Sequence, residues 1–73
     1  MTAEQKNQLQ AAIRRQAEMY RQDKAAGDTE RTLKRAHTLY GIALALDIMG
    51  IASECSYDTA EDGTHIITDI GLL

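Results

Sequence analysis

Asp58, Asp62 and Asp69 occupy the first, fifth and twelfth places of a window whose sixth place is Gly63. Calcium loops use that layout, with spaced side-chain oxygens and a glycine at the sixth place for a sharp turn. Here the third place is Ala60, the ninth is Ile66, and the twelfth is Asp instead of the bidentate Glu. No exiting helix is evident either. The stretch reads as a plain acidic turn, and no metal or other cofactor is expected. Cys55 lies between Glu54 and Ser56, and no Lys or Arg follows position 35. A reactive thiolate needs positive or hydrogen-bonding surroundings, so Cys55 reads as a packed structural residue. His37 and His65 have no cysteine or carboxylate cluster near them in sequence, which makes a poor metal site. Phosphate-binding glycine loops, nucleophile elbows and His-Glu metal motifs are all missing. Without Trp or Phe, an enclosed substrate pocket of ordinary size is hard to build. The expectation is a protein that is not an enzyme.

Charge is the other chemical resource. The chain has 73 residues with eight Lys or Arg, eleven Asp or Glu and a net charge of −3. All the basic residues fall in the first 35 positions, and from Thr38 onward the only charged side chains are the acids Asp47, Glu54, Asp58, Glu61, Asp62 and Asp69, beside the histidine His65. Such asymmetry marks either a surface for a charged partner or two halves that attract each other. The second reading is favoured. Lys6, Arg14, Arg21 and Lys24 fall within about 80° of one another on a helix and form a basic stripe. Glu54, Asp58, Glu61, Asp62 and Asp69 form the candidate acidic patch.

These groups need elements to hold them. Thr2 and Gln5 have capping-box spacing, and residues 3–26 contain no Gly or Pro and are rich in Ala, Gln, Glu, Lys and Arg. A first helix over about 3–26 follows, ended by Gly27, with Asp28 capping the next. Leu9, Ile13 and Tyr20 make its apolar seam, interrupted by Gln16 and flanked by Ala12 and Met19. The second helix is expected over about 29–49, ended by Gly50. Its stretch Leu39–Met49 has ten apolar or glycine residues out of eleven, with Asp47 the exception. It carries two apolar faces: Leu33, Tyr40, Leu44 and Ile48 along its length, and Leu39, Ile42, Leu46 and Met49 on the other side of its C-terminal half. The short connection makes the helices antiparallel neighbours. Counting from the turn pairs Leu33 with Tyr20, Tyr40 with Ile13, and Leu44 and Ile48 with Leu9, and brings Asp47 toward Lys6.

Residues 51–57 alternate, with Ile51, Cys55 and Tyr57 on one side. Asp58–Thr64 is a turn region and His65–Ile70 is β-branched. A β-hairpin over about 51–70 is expected, with Ile66 and Ile70 on one face and Ile67 opposite. The expected fold is one small α+β domain over 1–73, mainly α: an antiparallel helical hairpin followed by a short C-terminal β-hairpin. The alternative is an all-α helical hairpin with an irregular tail. The apolar end Gly71-Leu72-Leu73 either packs or stays as a small exposed anchor.

Three functions compete. The first is a small protein-binding module that self-associates as a homodimer, because a core of this size is marginal without a staple and a lone strand pair is marginal in water. Its candidate interface is Leu39, Ile42, Leu46, Met49, Tyr57, Ile66 and Ile70. The second is an inhibitor, of the kind short phage or mobile-element proteins provide, whose acidic half occupies a basic groove on a larger complex. The third is nucleic-acid binding by the basic stripe together with Arg31, Lys34 and Arg35, opposed by the net acidity. No membrane partner is expected, since the longest apolar run falls well short of the ~20 residues a span needs. The polar N-terminal stretch does not read as a signal peptide, and the expected location is cytoplasmic.

Overall fold

A computed structural model describes residues 1–73. Two helices, α1 (Ala3–Ala25) and α2 (Thr29–Ile48), precede two antiparallel strands, β1 (Ser53–Thr59) and β2 (His65–Leu72). The class is α+β, mainly α. Local chemistry sets each boundary. The Thr2 hydroxyl accepts from the Gln5 N–H at 3.1 Å, and the Gln5 side chain accepts from the Thr2 N–H at 2.9 Å. That reciprocal pair satisfies two free donors of the first turn. Asp28 caps α2 by accepting from the Arg31 N–H at 3.0 Å. At the far end of α2, Gly50 adopts φ +72°, and the Ile51 N–H reaches back to the Leu46 carbonyl at 2.9 Å. A left-handed residue is needed there, and only glycine takes that conformation without a steric penalty. The reversal turns Ile51 onto the core. No helix is long and apolar enough to cross a membrane.

The two helices form an antiparallel pair, and β2 packs against both of them, while β1 lies beside α2 and reaches α1 only through the Asp58 side chain. The core is Ile13 from α1, Leu39 and Leu46 from α2, and Ile67 and Ile70 from β2. Ala17 and Tyr20 extend it along α1, and Ala36 along α2. The expected α1 seam is therefore present: Ile13 and Tyr20 are buried and Leu9 packs against the core. Gln16 interrupts it, with its Oε1 buried and unpartnered.

Three expectations need correction. The long face of α2 does not pack on α1. Leu33, Tyr40, Leu44 and Ile48 are 45, 61, 49 and 77% exposed, while Leu39 and Leu46 are fully buried. Counting residues between two helices left out the sheet, and β2 settles against both of them and selects the faces turned toward it. Leu39 and Leu46 lie roughly 150° around α2 from the long face, so burying the first pair turns the second outward. Next, Ile67 and Ile70 are the buried residues of β2, whereas Ile66 is only partly covered. Pairing steps from Ser56–Asp69 to Tyr57–Ile67 and leaves Thr68 as an extra residue. Such a bulge shifts the alternation by one place, so residues three apart share the core face. Finally, Lys6 does not approach Asp47 in an ion pair; its ammonium donates to the Leu73 carbonyl at 2.6 Å.

Candidate interaction surface

With the sheet side of α2 buried, its outward side displays Leu33, His37, Tyr40, Leu44 and Ile48 in one line, all exposed. Steps of four, three, four and four residues keep these side chains on a single helical face. Gly41 lies beside Tyr40, and a Cβ built on it meets nothing within 4 Å. Glycine inside a helix is destabilising by roughly 0.5–1 kcal/mol relative to alanine, and no contact within the chain requires it here. The N-terminal part of this face borders a groove of about 330 Å³ between α2 and the hairpin turn. Leu33, Ala36, His37 and Tyr40 line one wall, and Ala60, Asp62, Thr64, His65, Ile66 and Ile67 the other. His65 meets the exposed Tyr57 ring edge-on, with centroids 6.1 Å apart.

The candidate interface residues separate into two groups. Leu39, Leu46 and Ile70 are fully buried, and Ile42 packs against the core beside them. Met49 and Tyr57 are 61 and 60% exposed, on the end of α2 and the outer strand. Ile66 is half-buried in the groove wall. The hairpin thus covers the face of α2 that sequence reasoning left without a partner, and the face given a partner is the open one.

The charged residues find each other across the molecule. Arg14 pairs with Asp69, and Lys24 pairs with Asp58, tying both ends of the hairpin to α1. Arg35 meets Asp23 at 3.3 Å and joins the helices, while Arg21 meets Glu18 within α1 at 2.7 Å. Every member of the basic stripe therefore has an internal partner, Lys6 through the Leu73 carbonyl. The Lys24 hydrogen bond, and then the Thr59 N–H, hold the Asp58 carboxyl below the ordinary aspartate range. The same bond raises Lys24, helped by the neighbouring Tyr20 oxygen. Tyr20 is buried, with its hydroxyl 3.5 Å from Asp58 and its ring 5.9 Å from the Lys24 ammonium. Asp62 accepts from the Thr64 N–H at 2.9 Å, and Thr64 lowers its pKa. The three aspartates of the calcium-like window are thus held by three different partners. No three His, Cys, Asp or Glu side chains gather into a metal-binding group. Cys55 is half-buried against the core as a free thiol. Of the acidic patch, Glu54, Glu61 and Asp62 are exposed and make no ion pair.

One contact had no sequence signal. The Gln10 side chain donates to the Ile70 carbonyl at 2.8 Å and accepts from the Leu72 N–H at 2.7 Å. A single amide thereby closes the outer edge of β2 as a neighbouring strand would. Gln10 is one of many polar residues in α1, and only the third dimension distinguishes it.

Comparison with protein-family models, curated proteins and solved structures finds no match.

Proposed function

We propose that this chain is a small non-enzymatic interaction module that associates with a second copy of itself through the outward face of α2. The observation that carries this reading is the line Leu33, Tyr40, Leu44 and Ile48, four large apolar side chains left to water along one helix face. Scattered exposed hydrophobics are ordinary, but a contiguous stripe marks a site of contact. A second copy is the partner that suits the balance of this fold. Eight residues are buried, and eight large hydrophobics are exposed, so pairing adds substantially to a small core. The competing readings have fewer free groups. Lys6, Arg14, Arg21 and Lys24 are all engaged internally, which leaves less charge for phosphate neutralisation. Asp58 and Asp69 hold the hairpin to α1, so an acidic surface for a basic groove rests on Glu54, Glu61 and Asp62.

Sedimentation at concentrations from about 5 to about 500 μM tests the proposal, a range suited to weak interfaces. The wild type is expected to pass from monomer to dimer across it. Leu44→Glu places a charge on an exposed position and is expected to stay monomeric with an unchanged far-UV spectrum. A wild type that remains monomeric throughout, or a variant that dimerises as well as the wild type, defeats the reading.

A further inference from the structure

Building on that self-association, we infer that the two copies of α2 pair antiparallel about a two-fold axis passing between Tyr40 and Gly41. Four of the five residues of the exposed line are symmetric about that point. Leu33 and Ile48 lie equally far on either side of it, as do His37 and Leu44, and Tyr40 and Gly41 flank it directly. An isologous interface requires a patch that complements itself under the two-fold, and reversing α2 about this centre brings Leu33 level with Ile48 and His37 level with Leu44. A parallel pair instead sets His37 against His37 and lays both Lys34 side chains at one level.

Two further observations agree. Gly41 is an unexplained glycine in the middle of a helix with open space where its Cβ would lie. At the axis, it leaves room for two backbones to approach and for the two Tyr40 rings to seat beside them. Lys34 and Asp47 make no ion pair within the chain, and they too are symmetric about the same centre. Antiparallel pairing therefore sets the basic start of each α2 level with the acidic end of the other, the favourable order for two like helices. Area points to the strength of the contact. From Leu33 to Ile48 the helix runs about 22 Å, so two copies bury on the order of 900 Å² in total, at the low end for specific pairs. Contacts of that size belong to weak, transient pairs.

Distances between spin labels on exposed positions outside the stripe test the register. In a Cys55→Ala background, Arg31→Cys and Thr38→Cys carry the label in turn, each studied at several hundred micromolar. The antiparallel pair separates the two Arg31 labels by about 28 Å along the helix and the two Thr38 labels by only about 8 Å. Equal separations at both positions overturn the register while leaving self-association standing. Absence of any dipolar coupling, with a monomer in sedimentation, overturns both. Gly41→Gln supplies a second readout, since it introduces a better helix former into open space of the monomer and a side chain at the proposed axis. Its dissociation constant is expected to rise at least tenfold with helix content preserved. An unchanged constant removes Gly41 from the interface and overturns the placement of the axis.

Discussion

Gln10 and Asp58 each connect distant parts of the chain through a single side chain. Gln10 closes the outer edge of β2 with one donated and one accepted hydrogen bond. Gln10→Ala leaves the Leu72 N–H and the Ile70 carbonyl, both partly buried, without these partners. Leaving such groups unpaired costs about 1–3 kcal/mol, and urea unfolding should show a midpoint lowered accordingly, with faster amide exchange at Leu72. Gln10→Glu keeps the acceptor for Leu72 but sets a carboxylate against the Ile70 carbonyl, so it should recover little of the loss. The Asp58–Lys24 pair predicts a pH dependence. Asp58 has a lowered folded-state pKa, so its contribution is present above the ordinary aspartate value and disappears as pH falls through the lowered one. Lys24 is raised, so its contribution holds below the ordinary lysine value and fades as pH rises through the raised one. The clasp is therefore formed across the neutral range. Carboxyl NMR titration should place Asp58 below the ordinary aspartate value, and Lys24→Met should move it upward. An Asp58 midpoint unaffected by Lys24→Met excludes the ammonium as the cause.

At the level of elements, helix ends were legible because their signals are local. Thr2 with Gln5, Gly27, Asp28 and Gly50 each act within one turn of the boundary they set. The hairpin was legible from its β-branched run and its Asp62-Gly63 turn. Which face of α2 is buried was not legible, because both faces are apolar and the choice belongs to β2, which packs on them from far along the chain. The bulge at Thr68 was hidden for a related reason. His65–Ile70 alternates as well without an extra residue as with one, and only the demand that Ile67 and Ile70 both reach Ile13, Leu39 and Leu46 selects it. Of the candidate interface, Leu39, Leu46 and Ile70 are buried within the chain, while Leu33, Tyr40, Leu44 and Ile48 stay open. Deleting Thr68 removes the bulge and leaves Ile67 and Ile70 two residues apart, so plain alternation keeps both on the core face. The deletion should therefore stay within about 1 kcal/mol of the wild type, whereas Ile67→Ala should lose about 2–5 kcal/mol. Thr68→Ala keeps the bulge and should stay within about 0.5 kcal/mol of the wild type. A Thr68 deletion that loses as much as Ile67→Ala in chemical denaturation refutes the reading of Thr68 as the extra residue.

At the scale of the whole molecule, the extents of 38 × 22 × 14 Å describe a thin plate of two helices and two strands. A plate this thin has much surface for its interior, which is why eight buried residues coexist with eight large exposed hydrophobics. The proposed pairing along α2 would thicken the plate on the side opposite the sheet and make the outward stripe a second core. If folding and pairing are linked in this way, stability depends on protein concentration, because association favours the folded state by mass action. Each tenfold rise in concentration above the dissociation constant is worth about 1.4 kcal/mol per dimer, shared between two chains. For a domain of this size about 1 kcal/mol shifts the melting temperature by roughly 4–8 °C. Melting at about 5 and about 500 μM should therefore differ by several degrees in the wild type, a separation of that order following from the same linkage. Tyr40→Lys places a charge at the proposed axis while leaving every buried residue in place. It should melt at one temperature at both concentrations, and that temperature should equal the wild type's at the lower one. A Tyr40→Lys protein that melts lower at every concentration instead assigns Tyr40 to the monomer's own stability, and the exposed face of α2 then loses its claim as the interface.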